Sequence, residues 1–447
     1  MSTELDEVMA LADRARHVPR HDRRRSPASI HRSQRGRPAW PAEGERSMTA
    51  ATVDGGSSSG PRRRADTEAV AFFDRIDAYN NLLLPVLAIV SALVAGAVII
   101  GLTDIDRLKE GDILGILGTI KDAYLALPAG ALGSLNGISE TIVSATPLIL
   151  AGLCFAIAAR SGLFNIGATG QMFAGGMASV WVGFSMNGPG IVQVPLALLA
   201  GIVAGGIWGG IVGFLKARTG AHEVITTIMT NYIAGLLTLW LLKTDAFQQP
   251  GKDNPISKTV RPEGRLPDLF FWSDNPALRA HWGFLVAIAG AMFTWWLFER
   301  SKIGFELRTF GSNADAARYA GMKPATLTTM AMFIAGAMAG LAGASQVIGT
   351  QGYATESFAG SIGFDAIAVA LLGRNKPTGI VFAAFLFGIL EAGGRRMQLE
   401  TDIPLDVVLV LRALIVLFIA APALTRLLWR LKREGGGSAL QFRGWGA

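Results

Sequence analysis

The chain is a succession of apolar runs, most of them about as long as a bilayer is thick, and this pattern constrains the fold more than any single motif. The runs cover residues 82–102, 142–159, 172–186, 191–215, 224–242, 282–298, 325–348, 362–372, 379–392 and 406–428. A helix needs roughly 20 apolar residues to cross the hydrocarbon. Of the 447 residues, 51% are hydrophobic, although the first 75 are strongly polar, so the remainder is richer in apolar residues than a soluble domain. The runs predict an all-α, polytopic membrane protein of about ten crossings, with eight as the lower bound. A transmembrane bundle is expected over residues 80–430, followed by a short basic tail at 431–447.

The charges fall between the runs. Arg160, Lys216, Arg218, Arg300, Lys302, Arg308, Arg318, Lys323, Arg374 and Lys376 all land on one side, which the positive-inside rule makes cytoplasmic, with both termini on that side. Arg395 and Arg396 fall on the other side and break the pattern. The net charge of +7 therefore reflects topology, and no nucleic-acid partner is expected. The run 362–372 is too short to span: either it continues into its flanks, or 362–392 is a re-entrant pair. Between the first two runs, 103–141 reads as an outer loop with an interfacial helix around 113–120.

Residues 1–75 are rich in Arg, Pro, Ser and Gly, including Arg23-Arg24-Arg25 and Arg62-Arg63-Arg64. They read as a disordered cytoplasmic tail, without the apolar core of a cleaved signal. Met48 offers a second possible start. Cys154 is the single cysteine, which excludes an intrachain disulfide and paired-cysteine metal sites.

One break stands out. Arg160-Ser-Gly-Leu-Phe-Asn-Ile-Gly-Ala-Thr-Gly-Gln171 interrupts two apolar runs with glycines and two amides. A broken helix with free amides is tolerated in hydrocarbon only beside protein or water, so Asn165, Gly167, Gly170 and Gln171 are candidates for a translocation path; the alternative is a capped cytoplasmic turn. Glu223, Thr227 and Asn231, with Thr230 beside them, form a polar stripe at helical spacing. Glu223 suits a helix N-terminus, whereas Thr227, Thr230 and Asn231 are the path candidates. No arginine or lysine is expected at helix-centre depth, which favours a neutral solute. Asp365 reads as a helix cap.

In the inner loop 299–324, Ser312-Asn-Ala-Asp315 has the spacing of a capping box. Gly321 and Pro324 suit a helix stop. A short helix near 313–320 follows, with Ala316 and Ala317 on a small contact face suited to docking against another subunit. No metal cluster is evident, no phosphate-cradling Gly-rich loop occurs, and Gly56-Ser-Ser-Ser-Gly60 lacks the context of a nucleophile elbow, so an enzyme is not expected. An ion-coupled transporter would more often bury an ionisable pair.

Four motifs in order, Phe164-Asn-Ile-Gly-Ala-Thr-Gly-Gln171, Glu223-Val-Ile-Thr-Thr-Ile-Met-Thr-Asn-Tyr232, Gly311-Ser-Asn-Ala-Asp-Ala-Ala-Arg-Tyr-Ala-Gly321 and Gly363-Phe-Asp-Ala-Ile-Ala-Val-Ala-Leu-Leu-Gly373, resemble the permease subunits of ABC importers for nucleosides and simple sugars. The form Phe-Asn-Ile-Gly resembles the larger permease of nucleoside importers. Thr169 stands where members often carry Glu, and His222 where they usually carry Asn. The resemblance implies a multi-pass protein of the plasma or inner membrane. It also implies three partners: a cytoplasmic ABC ATPase that uses the ATP, a second permease, and an extracytoplasmic substrate-binding lipoprotein. No cofactor is implied for this chain itself. Ser312, Asn313, Asp315, Ala316, Ala317, Arg318 and Gly321 then belong to an ATPase-coupling helix. Nucleosides are the expected cargo, with simple sugars as the alternative.

Overall fold

A computed structural model describes residues 86–429 apart from Asp104, Asp274, Asp402, Pro422, Ala423, Arg426 and Leu427. The tails at 1–75 and 431–447 lie outside the described residues, as does the possible start at Met48. The fold is all-helical, as the apolar runs predict, with only isolated bridges between extended residues.

In chain order the helices are α1 (Val86–Thr103), α2 (Ile105–Glu110), α3 (Ile113–Leu132), α4 (Leu135–Arg160), α5 (Ala168–Ser185), α6 (Gly190–Thr219) and α7 (Glu223–Leu242). Then come α8 (Gly283–Arg300), α9 (Lys302–Ser312), α10 (Ala314–Tyr319) and α11 (Pro324–Ala344), which runs on as a π-helical turn at Ser345–Gln351. The last three are α12 (Ile362–Leu372), α13 (Pro377–Thr401) and α14 (Leu405–Ala420).

Helix α4 is the axis of the bundle. Every residue from Ala145 to Ala158 is buried, so this helix is apolar all round, as a fully enclosed helix must be. It packs against α11, α12, α13 and α8. Beside it, α6 and α11 cross at close range. Gly201, Gly205 and Gly209 of α6 face Gly336, Gly340 and the Met332 carbonyl of α11, and a Cβ on Gly340 would lie 2.1 Å from the Gly201 carbonyl oxygen. Without a hydrophobic force between helices in lipid, such small-residue seams supply the packing. The four-residue spacing of these glycines was visible in the sequence.

Residues of α1, α3, α13 and α14 form a second, smaller cluster that includes Ala92, Leu127, Leu390 and Leu411.

Seven helices are long and apolar enough to cross a membrane among the described residues: α1, α3, α4, α6, α7, α11 with its π extension, and α13. The interfacial helix expected at 113–120 is in fact α3, which continues to Leu132. Its length would allow a crossing, but Lys121 and Asp122 are exposed halfway along it, and lipid-facing charges at a helix centre are costly.

The short run 362–372 continues into a flank on one side. Ala354 and Ser257 exchange backbone and side-chain hydrogen bonds (Ser257 N to Ala354 O 2.9 Å; Ala354 N to Ser257 Oγ 2.8 Å). Phe358 then reaches Gly176, and Gly363 meets Thr169. Non-helical backbone thus runs along α5 before α12 begins, with Phe358 and Ala359 buried and Glu356, Ser357, Gly360 and Ser361 exposed.

Arg395 and Arg396, the exceptions to the charge pattern, are paired. Arg395 bonds Glu140 at 2.8 Å, and Arg396 bonds Glu400 at 2.7 Å and the Ala129 carbonyl at 3.2 Å.

Candidate functional site

The break between α4 and α5 begins with Ser161, which bonds back to the last turn of α4, and Gly162 at φ +71°. The chain then doubles back so that Asn165 and Gln171 lie beside Cys154, one to two turns inside the end of α4. The Asn165 amide donates to Gln171 Oε1 at 3.1 Å and to Cys154 Sγ at 3.2 Å, and Gln171 Nε2 returns a bond to Asn165 Oδ1 at 3.2 Å. All three side chains are buried. Asn165 Oδ1 also accepts from Gly167 N at 2.9 Å, closing the turn that starts α5.

Asn231 of α7 holds the same turn from outside. Its Oδ1 accepts from Gly170 N at 2.8 Å and its Nδ2 donates to the Ile166 carbonyl at 3.0 Å. An otherwise unpaired N–H at the start of α5 and a free turn carbonyl are thereby satisfied by one side chain. Thr227 is buried against Gly167, with its hydroxyl on the carbonyls of Glu223 and Val224. The Thr230 hydroxyl bonds the Thr227 carbonyl at 2.9 Å. Asn165, Gly167, Gly170, Gln171, Thr227 and Asn231 are therefore brought together, and the Thr230 carbonyl lies beside Gly170 while its hydroxyl stays on its own helix. Their polar atoms are spent on one another and on the backbone, so the cluster is a closed polar plug.

On the opposite side of α5 the N-termini of two helices meet. A Cβ on Gly363, at the start of α12, would lie 2.6 Å from Thr169 N and 2.2 Å from its hydroxyl oxygen. That oxygen is buried and has no partner among the described residues. Beyond the plug, Phe173, Met177, Trp181, Trp208, Leu237 and Phe247 line a mostly apolar cleft of about 480 Å³ between α5, α6 and α7.

Two charge expectations need revision. Arg412 lies at the middle of α14 and is buried, which overturns the expectation of no basic residue at helix-centre depth. Its partners are Glu391 of α13, in direct contact, and Asp365 of α12 at 3.9 Å. Asp365 is therefore an ion-pair partner that also accepts from Ser361 Oγ at 2.8 Å, and it is not a backbone cap. This cluster is self-paired and none of its members contacts the plug. Glu223 pairs with Lys216 at 2.6 Å, the structural role its position suggested.

In the loop 299–324 the sequence pattern missed α9, an amphipathic helix that links α8 to the short helix α10. The cap of α10 is Asn313, not Ser312: its Oδ1 accepts from Asp315 N and Ala316 N, each at 3.0 Å. Ser312 is the last residue of α9 and bonds the Thr309 carbonyl. Ala317, expected on the docking face, is buried within this chain. The face actually presented carries Ala316, Arg318, Ala320 and above all Tyr319, which is 94% exposed. Gly321 ends the segment at φ +81°. At the other end of α9, Gly311 sits on the backbone of Arg160–Gly162, and a Cβ there would come within 2.5 Å of the Arg160 carbonyl oxygen. The α9–α10 unit is thus seated directly on the turn that leads into the plug.

Comparison with known proteins identifies the family. The family described as branched-chain amino acid transport system / permease component matches residues 137–420. The guanosine ABC transporter permease protein NupP of Bacillus subtilis is 40% identical over 359 residues, covering 80% of this chain and 98% of the relative. The nucleoside ABC transporter permease protein NupB of Lactococcus lactis is 35% identical over 347 residues (76% and 91%). The glucose ABC transporter permease protein TsgB13 of Haloferax volcanii is 34% identical over 343 residues (75% and 86%). No solved structure matches the chain.

Proposed function

The chain belongs to the family of branched-chain amino acid transport system permease components, and from that premise we propose that it is the pore-forming subunit of an ABC importer that carries nucleosides. It is a multi-pass membrane protein and a transport component. The observation that carries the nucleoside reading is the similarity to a guanosine permease across nearly the whole length of that relative. The chemistry of the plug is compatible with it. Amides and hydroxyls can exchange their mutual hydrogen bonds for bonds to ribose and base edges without burying an unpaired charge. Such an exchange is close to neutral in free energy, because one set of hydrogen bonds replaces another.

In this reading the Arg160 side is cytoplasmic. With α3 at the interface and α5, α8, α14 and the composite 352–372 segment counted as crossings, the chain crosses about ten times and both termini lie inside. ATP is used by a cytoplasmic ATPase that docks on α10. A second permease completes the pore, an extracytoplasmic binding protein delivers the solute, and this chain carries no cofactor. Movement of α9–α10 would act through the Gly311–Gly162 contact on the plug, in keeping with transport by rocking of packed bundles around a central site.

Uptake of labelled guanosine, uridine, glucose and leucine, compared in cells with and without the gene, tests the assignment. Loss of guanosine or uridine uptake is expected. Loss of glucose uptake alone would replace nucleosides by sugars within the same class, a reading that the Haloferax relative favours. Loss of leucine uptake alone would overturn the neutral-path argument.

A further inference from the structure

The connection between α7 and α8 carries an aromatic tip, Phe270-Phe271-Trp272, whose rings stack edge-to-face at 5.4 Å and 5.2 Å between centroids. Phe271 is 79% exposed and Trp272 68% exposed. In an aqueous loop, two large exposed aromatic side chains side by side would leave a costly apolar patch facing water.

Two anchors fix the height of this tip. At its base, Asp268 bridges His281, Leu269 N donates to the Ala280 carbonyl at 2.7 Å, and Trp282 N donates to the Pro267 carbonyl at 2.8 Å. Trp282 itself starts α8 and is exposed. On its far side, the stretch 275–280 that follows the tip is held by the first two turns of α4. Arg279 forms a two-pronged bond to Glu140 at 2.8 and 2.6 Å, Ala280 N donates to Ser139 Oγ at 2.9 Å, and Asn275 bonds Asn136 at 3.3 Å. Both anchors are the ends of crossing helices, where hydrocarbon gives way to headgroups. Leu132 and Leu135, beside the second anchor, are exposed as well.

We propose that Phe271 and Trp272 insert into the headgroup–acyl boundary of the lipid leaflet on the Glu140 side, as a lateral foot of the permease. Aromatic rings prefer this depth, where the ring face is apolar and the indole N–H stays wet. The foot would brace the ends of α4 and α8 against the membrane while the rest of the bundle moves.

The test uses the full chain in phosphatidylcholine–phosphatidylglycerol vesicles. Trp272→Cys carries an environment-sensitive fluorophore, with Phe271→Cys as a second probe and the exposed Lys252→Cys as the water-facing reference. Cys154 is buried and does not compete for the label. Blue-shifted emission, quenching by lipids that carry a shallow spin label, and several-fold weaker iodide quenching than at residue 252 are expected at both probes. Iodide quenching equal to that at residue 252 would overturn the proposal. So would shielding that arises only when a soluble protein partner is added, which would make the tip a protein-docking surface.

Discussion

At the residue scale, Asn231 is the side chain on which the closed plug depends most. Its side chain hydrogen-bonds α7 to the start of α5, and it satisfies two backbone groups that have no other partner in the turn. Asn231→Ala would leave both unpaired in a half-buried position, at a cost of about 1–3 kcal/mol. Asn231→Asp keeps the acceptor for Gly170 N but sets a carboxylate against the Ile166 carbonyl, so it should be no better. Thr230→Ala, at the neighbouring position, removes only a bond from a side chain to its own helix and should be nearly silent. Thermal unfolding in detergent and guanosine uptake, measured side by side, check the ranking. Equal effects at 230 and 231 would show that the Asn231 bridge is incidental. The amides at 165 and 171 were legible in the sequence because free amides inside an apolar run demand partners. Their mutual pairing was not, because it depends on a reversal of the chain that no local spacing encodes.

At the scale of elements, the α9–α10 segment was half legible. The polar break and Gly321 marked a short helix near 313–320, and the observed α10 falls inside that range. The capping residue was misassigned because Ser312 and Asn313 both suit an N-cap, and only the three-dimensional end of α9 decides between them. The burial of Ala317 was invisible for a similar reason: a two-turn helix has no apolar stripe long enough to reveal its inner face. If the ATPase docks on α10 as proposed, the exposed Tyr319 is the side chain placed to anchor it. Exposed aromatic residues that enter a partner's pocket are typical hot spots, and truncation costs about 2 kcal/mol or roughly 30-fold in affinity. Tyr319→Ala should therefore weaken ATPase association and uptake while leaving membrane levels and thermal stability unchanged, since the side chain touches little of its own chain. Normal uptake and normal co-purification of the ATPase would remove Tyr319 from the interface. The α6–α11 glycine seam was missed in the sequence reading, although its four-residue spacing is the pattern that lets helices approach in lipid.

At the scale of the whole molecule, two packed groups of helices must be held together inside lipid. The main core surrounds α4, and a second cluster joins α1, α3, α13 and α14. Arg412 lies where they meet. It projects from α14 towards Glu391 of α13 and Asp365 at the start of α12, so one guanidinium ties the second cluster to the broken crossing. Its Nε is left without a partner among the described residues, and its side chain is only 8% exposed, against 38% for Glu391 and 25% for Asp365. Burying such a group is expensive, so the cluster is better understood as setting the geometry of α12 than as adding stability. Removing one partner is another matter. Arg412→Met would leave two half-buried carboxylates without their counter-charge. Breaking a buried pair costs about 3–5 kcal/mol, and the partial exposure of Glu391 places this case towards the lower end. The triple change Arg412→Met, Glu391→Gln and Asp365→Asn removes all the charge and should recover most of the lost thermal stability. Uptake separates the two possible roles. If the cluster only holds the fold, the triple variant will transport normally. If it holds α12 against Thr169 and the plug, the triple variant will be stable yet slow. The position of α12 over the start of α5 favours the second outcome, and a stable, fully active triple variant would refute it.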